Sequence, residues 1–166
     1  MDIYEFLAVH GISYVRYDHE PVFTCEQADS LPIPAGSAKT KNLFLRDRKG
    51  RRHVLVTVGA EKTVDIKALE PVVGAKGLSF ASEDRLMRYL GLTPGSVTLL
   101  GVITDLDCRV EVIIDEGLLR YQAMQCHPLT NSSTLVISME DVMRFLALTG
   151  HAPRVLDVPG RTGNEG

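Results

Sequence analysis

Two apolar segments separated by a charged turn predict a buried β-hairpin in the first half of the sequence. Residues 43–45 (Leu-Phe-Leu) run apolar without alternation, as in a strand that is covered on both faces. Residues 47–50 (Asp-Arg-Lys-Gly) have the composition of a hairpin turn, and residues 53–58 form the second strand. The first of these strands therefore belongs in the interior of the fold.

The remaining sequence predicts short helices and strands without a regular βαβ rhythm, and therefore a mixed α/β domain. Helices are predicted over residues 2–10, from a Thr-x-x-Gln capping box at 24–27 to a stop before Pro32 and Pro34, over 63–69, from Ser82 to Tyr89, and from Ser138 to Gly150. Strands are predicted over residues 12–17, 101–104, 109–114, 121–125 and 134–137. In this interpretation residues 1–158 form one domain and residues 159–166 a disordered tail.

Composition indicates a cytoplasmic protein of one domain. The 166 residues suffice to bury a core without cross-links, and 45% of them are hydrophobic. No apolar run approaches the ~20 residues that cross a bilayer, and the N-terminus lacks the basic and apolar regions of a signal peptide. Cys25, Cys108 and Cys126 are odd in number and widely spaced, which predicts free thiols in a reducing compartment and no structural zinc site.

Positive charge is concentrated around the hairpin turn, although the net charge is −3. The basic residues of segment 39–52 are Lys39, Lys41, Arg46, Arg48, Lys49, Arg51 and Arg52, against one acid, Asp47. A local cluster of this kind can bind a phosphate backbone even on an acidic protein. Turn tips are also commonly charged because they are wet, so both interpretations stay open.

Three polar clusters interrupt the apolar pattern, at residues 39–42, 93–98 and 127–134. In the first, Lys41 precedes a buried strand, where it could hold a phosphate or carboxylate as a point charge or simply be solvated. In the second, Gly95 is flanked by hydroxyls, and its backbone could approach a carbonyl oxygen unless the loop is a plain turn. The third has an imidazole, an amide and four hydroxyls, more hydrogen-bonding groups than a hairpin loop needs.

No acid–base pair or metal site stands out in these clusters. Cys126 next to His127 suggests a thiol nucleophile, but neighbours in a strand point to opposite faces, so a small buried cysteine is the simpler interpretation. Ser96 lacks the Gly-x-Ser-x-Gly elbow of an esterase. His19 could line a cleft or lie at the surface, and residues 105–107 (Asp-Leu-Asp) are typical turn formers. No metal or cofactor is predicted.

Taken in order, five segments resemble the YbaK/prolyl-tRNA synthetase-associated editing superfamily, and most closely its free-standing ProXp-ala (PrdX-like) branch. They are residues 19–24 (His-Glu-Pro-Val-Phe-Thr), 41–45 (Lys-Asn-Leu-Phe-Leu), 90–98 (Leu-Gly-Leu-Thr-Pro-Gly-Ser-Val-Thr), 112–116 and 127–131 (His-Pro-Leu-Thr-Asn). The similarity covers residues 2–157, and the order of the segments makes it more specific than any one motif. It implies an α/β fold with a central, mixed and largely antiparallel curved sheet flanked by helices.

The resemblance implies a trans-editing hydrolase that cleaves the ester of a mischarged aminoacyl-tRNA, typically alanyl-tRNA(Pro). Alanine is smaller than proline, so a synthetase pocket excludes it by only ~1–3 kcal/mol, and a second site must reject the error. Such an enzyme would bind the acceptor end of mischarged tRNA(Pro). It would act as a monomer, without cofactor or membrane, and its candidate partners are prolyl-tRNA synthetase and an elongation factor.

The family's functional residues can be placed on this sequence by motif. Lys41 matches the essential lysine, expected to anchor the 3′-terminal phosphate or the amine region of the substrate. The family's Gly-x-x-x-Pro loop corresponds to residues 95–99, but Leu99 replaces the proline. The implied catalytic residues are Lys41, Asn42, Gly95, Ser96 and Thr98, the implied substrate-binding residues are His19, Phe23, Thr40, Leu99, His127 and Asn131, and the implied tRNA-binding residues are Lys39, Arg46, Arg48 and Lys49. Several members use the ribose 2′-OH of the substrate and a bound water in place of a protein nucleophile, in agreement with the missing acid–base pair.

Two other functions stay open. Leu99 could reshape the pocket for Ser, Thr, Cys or a small non-protein amino acid. A non-catalytic tRNA-binding module would show salt-sensitive binding through residues 39–52 without turnover.

Overall fold

The computed structural model describes residues 2–21, 33 and 36–161, which fold around two β-sheets. The strands are β1 (Val15–Asp18), β2 (Ser37–Ala38), β3 (Thr40–Arg46), β4 (His53–Gly59), β5 (Ser79–Phe80), β6 (Val110–Asp115), β7 (Ala123–Cys126), β8 (Ser133–Ser138) and β9 (Arg154–Leu156). The helices are α1 (Ile3–Val9), α2 (Ile66–Val73), α3 (Glu83–Leu90) and α4 (Met139–Leu148), with 3-10 helices η1 (Pro94–Ser96), η2 (Leu99–Thr104) and η3 (Glu116–Arg120). None of the helices in these residues is long and apolar enough to span a membrane.

The larger sheet has the predicted hairpin, β3 and β4, at its centre. Its order is β5-β3-β4-β6-β9, with β3 antiparallel to its neighbours and β4, β6 and β9 parallel to one another. The parallel β4–β6 pair needs a long crossover, which residues 60–109 supply with α2, α3, η1 and η2. The second sheet has the order β1-β8-β7-β2, antiparallel except between β7 and β2. The predicted mixed α/β fold is confirmed, with its strands divided between two sheets instead of one central sheet.

Strand β4 is buried along its whole length because both faces of the larger sheet are covered. Leu55 contributes to the core between the two sheets, which also contains Phe44 and residues of α1, η2 and α4. Val54 and Val56 contribute to a second core, against Leu69 of α2. The unbroken apolar pattern of the hairpin reflects these two cores.

Residues 101–104, predicted as a strand, instead form the end of the 3-10 helix η2. Periodicity cannot distinguish a short apolar strand from a buried helical segment, and a tertiary contact decides the matter here. A Cβ on Gly101 would lie 2.6 Å from Leu92 Cδ1, so a glycine is needed for η2 to pack this closely. The helix predicted at residues 63–69 begins later, at Ile66, because the Asp65 side chain caps it by accepting from the Ala68 N–H at 3.0 Å.

The other predicted elements in the described residues are confirmed. Residues 12–17, 109–114, 121–125 and 134–137 correspond to β1, β6, β7 and β8. Ser82 caps α3 by accepting from the Arg85 N–H at 3.2 Å, and Ser138 caps α4 by accepting from the Asp141 N–H at 3.1 Å. The helix predicted from the capping box at residues 24–27 lies outside the described residues, as do Phe23, Cys25, Pro32 and Pro34.

The C-terminal segment packs on the second core. Val158 is buried, and its N–H donates to Asp115 Oδ1 at 3.1 Å. Beyond it, the Asp65 N–H donates to Pro159 O at 2.9 Å, and the Arg161 N–H donates to Thr63 O at 2.8 Å. The segment predicted to be a tail from residue 159 is therefore hydrogen-bonded to the domain through Arg161. Residues 162–166 lie outside the described residues.

Candidate active site

The candidate site lies where the two sheets meet, at the start of β3 and the end of β7. Thr40 Oγ1 donates to Gln125 O at 2.8 Å, which joins the two strands. Thr98 Oγ1 donates to His127 O at 2.7 Å, which joins the loop before η2 to the end of β7. The three polar clusters of the sequence are thereby brought to one end of the fold.

Asn42 presents an oriented amide at this end of β3. Its Cα partner on β4 is Thr57, and the buried Thr57 hydroxyl donates to Asn42 Oδ1 at 2.6 Å. With Oδ1 accepting this bond, the NH2 group of the amide keeps its two donors. No described residue accepts a hydrogen bond from that nitrogen, and the side chain is only partly buried. The bond from Thr57 therefore orients the amide, and its NH2 group can donate to an oxygen atom of a ligand.

Lys41 and Asn42 start from opposite faces of the larger sheet, because successive side chains of a strand alternate. Asn42 shares its face with Phe44, which packs in the core between the sheets. Lys41 shares the other face with Leu43 and Leu45, which pack in the second core. The half-buried lysine therefore does not lie beside the amide, and its ammonium can approach the same ligand only from around the start of β3.

Thr98 and Leu99, two predicted site residues, are turned into the protein. The Thr98 side chain is fully buried, and besides donating to His127 O it accepts from the Leu100 N–H at 3.3 Å. Its hydroxyl positions the end of β7 and is not available to orient a water. Leu99 is 1% exposed within the core between the sheets, so its side chain does not face an open acyl pocket.

Gly95 and Ser96 lie in the short 3-10 helix η1, on a partly exposed turn next to Thr98. The Ser96 N–H donates to Thr93 O at 2.9 Å, so this amide is already used within the loop. The prediction that backbone amides of this loop polarise an ester is therefore not supported at Ser96.

His127 is held as a neutral imidazole. Its Nδ1 lies 3.1 Å from Ser133 O, and because a carbonyl can only accept, Nδ1 carries a proton; in the neutral ring Nε2 therefore keeps its lone pair. Burial lowers the pKa of His127, against the Ser133 bond, which raises it, and with a smaller lowering from His19. A ring that is neutral at physiological pH and has an unprotonated Nε2 can accept a proton from water or a hydroxyl.

His19 and Asn131 border the same region. Nδ1 of His19 donates to Glu20 O at 2.8 Å, and its Nε2 lies 2.8 Å from the Thr134 hydroxyl. The ring of His19 is therefore tied to β8 and acts as a wall of the site. Asn131 is partly buried in the loop between β7 and β8.

Cys126 is excluded as a nucleophile, because complete burial raises the pKa of its thiol to about 12. A Cys126→Ala variant is expected to keep the deacylase activity that the resemblance implies, and native protein should resist alkylation at Cys126 while exposed Cys108 reacts. Mass spectrometry of iodoacetamide-treated protein and a deacylation assay check both outcomes. Loss of activity at an unchanged melting temperature would contradict this assignment.

Within the described residues, no group of three metal-ligating side chains is assembled.

The predicted basic cluster is spread along β3, and part of it is used within the fold. The Cα atoms of Arg46 and Lys41 are about 16 Å apart at the usual rise of a strand. The guanidinium of Arg46 donates to Asp47 O and Arg48 O. Arg52 forms a bidentate ion pair with Glu111, in which Nε donates to Oε2 at 2.9 Å and Nη2 donates to Oε1 at 2.7 Å. Arg48 and Lys49 are exposed at the turn, and Lys39 lies at the site end of β3.

Several residues of the site cannot be identified from spacing. Thr57 contacts Asn42 and Gln125 contacts Thr40 between strands, 15 and 85 positions apart in the chain. Ser133 contacts His127 across the loop between β7 and β8. One feature of the sequence does mark Thr57, because it is the lone polar residue in the apolar run 54–58.

Comparison with known proteins identifies relatives of this chain. The family model for the aminoacyl-tRNA editing domain matches residues 19–145. The prolyl-tRNA editing protein ProX of Acetoanaerobium sticklandii is 40% identical over 147 residues, covering 89% of this chain and 90% of that protein. The prolyl-tRNA synthetase associated domain-containing protein 1 of Danio rerio is 34% identical over 157 residues, covering 93% of this chain and 85% of that protein.

The fold is also shared with solved structures. A crystal structure of a candidate trans-editing enzyme for prolyl tRNA synthetase matches with a TM-score of 0.69 at 20% identity, covering 93% of this chain and 92% of that one. A crystal structure of a hypothetical protein matches with a TM-score of 0.75 at 18% identity, covering 94% and 97%. The resemblance predicted from the five sequence segments is confirmed, and the chain belongs to the aminoacyl-tRNA editing domain family.

Proposed function

We propose that this protein hydrolyses the ester of mischarged tRNA(Pro), with alanyl-tRNA(Pro) as its substrate. The observation that carries the proposal is that the Thr40–Gln125 hydrogen bond joins the strand end with the Asn42 amide to the strand end that leads to the neutral imidazole of His127. The 40% identity to a prolyl-tRNA editing protein supports the class of substrate.

Hydrolysis needs a donor to the ester carbonyl and an acceptor for a proton. The Asn42 NH2 group donates to the carbonyl oxygen, where negative charge develops in the transition state. Nε2 of His127 accepts the proton of the attacking water, directly or through the ribose 2′-OH. The water oxygen bonds to the carbonyl carbon, the bond from that carbon to the 3′ oxygen breaks, and the proton passes to the 3′ oxygen. No protein nucleophile is required, in agreement with the inert Cys126 thiol.

Positive charge on and near β3 binds the tRNA in this proposal. Lys41 and Lys39 lie at the site end, where the terminal phosphates would be, and exposed Arg48 and Lys49 lie at the far end, where a longer stretch of acceptor stem would reach. Docking on prolyl-tRNA synthetase or an elongation factor, a monomeric state and a cytoplasmic location stay predictions.

Deacylation of three substrates tests the function. Purified protein is expected to release alanine from alanyl-tRNA(Pro) and to leave prolyl-tRNA(Pro) and alanyl-tRNA(Ala) intact. Release of serine, threonine or cysteine from tRNA(Pro), without alanine release, would replace the acyl group in the proposal. Salt-sensitive tRNA binding without turnover of any ester would replace the enzyme with a binding module.

The rate of deacylation is expected to fall at acidic pH. His127 acts as a base in its neutral form, and burial lowers its pKa below the usual 6.5. The enzymatic rate should therefore be constant near pH 7 and fall as the pH drops through that lowered value. A pH profile of kcat/KM, corrected for spontaneous ester hydrolysis, checks this. A His127→Gln variant serves as the control, and an identical acid limb in that variant would remove His127 from the role.

A further inference from the structure

The turn after β4 places one carboxylate, that of Glu61, against the strand pair of the candidate site. We infer that Glu61 binds the α-ammonium group of the aminoacyl ester. This assignment rests on the proposed deacylase function and deepens it, because it says which group receives the charged end of the acyl moiety.

Gly59 provides the space in which the carboxylate lies. Gly59 is buried at the end of β4, opposite Thr40 of β3. A Cβ on Gly59 would lie 2.8 Å from Glu61 Oε1 and 3.2 Å from its Cδ. The carboxylate of exposed Glu61 therefore folds back over the end of the strand.

The face over which it folds is the face of the candidate site. Side chains of β4 alternate, so a Cβ on Gly59 would point to the same side as Thr57 and Leu55. Leu55 packs in the core between the sheets, and Thr57 is bonded to Asn42. The Glu61 carboxylate thus lies on the same side of the larger sheet as Thr40 and Asn42.

Lys62 holds this turn in place from the other side. Its Nζ contacts Asp115 Oδ2 at 2.9 Å and donates to Val158 O at 2.7 Å. Asp115 is buried, so the ammonium of Lys62 is committed to this pair and cannot neutralise its neighbour. Among the described residues, no cation forms an ion pair with Glu61.

A primary ammonium is the ligand that this arrangement fits. In an aminoacyl ester the ammonium is attached to the carbon next to the carbonyl, so a site that holds the carbonyl at Asn42 must receive a positive charge close by. A carboxylate on the same face binds it by charge-assisted hydrogen bonds. Lys41 has the same charge as the ammonium and is better suited to a phosphate.

The test compares alanyl-tRNA(Pro) with lactyl-tRNA(Pro), in which a neutral hydroxyl replaces the ammonium and the ester is otherwise the same. In the wild type, kcat/KM should be higher for the alanyl ester. Glu61→Gln keeps the shape and removes the charge, and it is expected to lower the alanyl-to-lactyl ratio by about fivefold to tenfold. The control is Glu140→Gln, at another exposed glutamate at the start of α4, and it should leave the ratio unchanged.

A second variant keeps the charge and moves it. In Gly59→Ala the new Cβ takes the place of the carboxylate, whose flexible end can turn away without disturbing the strand, so the ratio should again fall. If the wild type hydrolyses both esters and Glu61→Gln leaves their ratio unchanged, Glu61 does not bind the ammonium, and the deacylase function stands. If the wild type hydrolyses neither ester, the deacylase function fails and this inference fails with it.

Discussion

An Asn42→Asp variant is expected to lose about 10²–10³-fold in kcat/KM for alanyl-tRNA(Pro), the usual cost of removing one donor to a developing oxyanion. The aspartate keeps an oxygen to accept from the Thr57 hydroxyl, which donates to Asn42 Oδ1 at 2.6 Å. It replaces the NH2 donors with a negative oxygen that repels the carbonyl in the transition state. Single-turnover deacylation of labelled alanyl-tRNA(Pro) measures the loss.

A Thr57→Val variant separates the orientation of the amide from its donation. Valine has nearly the same shape but lacks the hydroxyl that holds Asn42, so we expect about a tenfold loss from a misplaced donor. Melting temperatures must be measured for both variants, since Thr57 is fully buried. An Asn42→Asp protein that is folded and fully active would contradict the role of the amide.

An Asp105→Ala variant is expected to lose about 2–6 kcal/mol of unfolding free energy, because two buried groups lose their hydrogen-bond acceptor at about 1–3 kcal/mol each. Asp105 Oδ2 accepts from the Val110 N–H at 2.8 Å and lies 2.9 Å from Nε2 of buried His151. Nδ1 of His151 lies 2.9 Å from Thr149 Oγ1. The carboxylate thus joins the end of η2, the start of β6 and the end of α4, and its loss leaves a buried amide and a buried imidazole without their acceptor.

The matched control is Asp107→Ala. Asp107 is 79% exposed and its contact with Arg109 is long, at 3.9 Å, so the change in unfolding free energy should stay within about 0.5 kcal/mol. Urea denaturation of both variants at pH 7 gives the comparison. Equal stabilities of the two variants would show that the Asp105–His151 contact adds nothing to the fold.

These two aspartates also show how far local sequence reasoning extends. Asp105 and Asp107 share a motif typical of turns, and the sequence offered no reason to separate them. The fold does so, because His151 comes to Asp105 from 46 residues away. In the same way Thr98 and Leu99 continue a polar loop in the sequence, yet both side chains are buried. Thr98 is hydrogen-bonded to the end of β7, and Leu99 packs between the sheets.

Local patterns were sufficient for the hairpin, for the caps at Ser82 and Ser138 and for membership of the editing family, because each depends on residues close in the chain or on the order of segments along it. They were insufficient for the site. The contacts that build it join residues 15, 29 and 85 positions apart, in Thr57–Asn42, Thr98–His127 and Thr40–Gln125. Only the pairing of strands decides that Asn42 faces the site, that Lys41 starts from the opposite face and that Glu61 folds over Gly59. Strand pairing is set by the burial of two cores at once, and no short stretch of sequence contains that information.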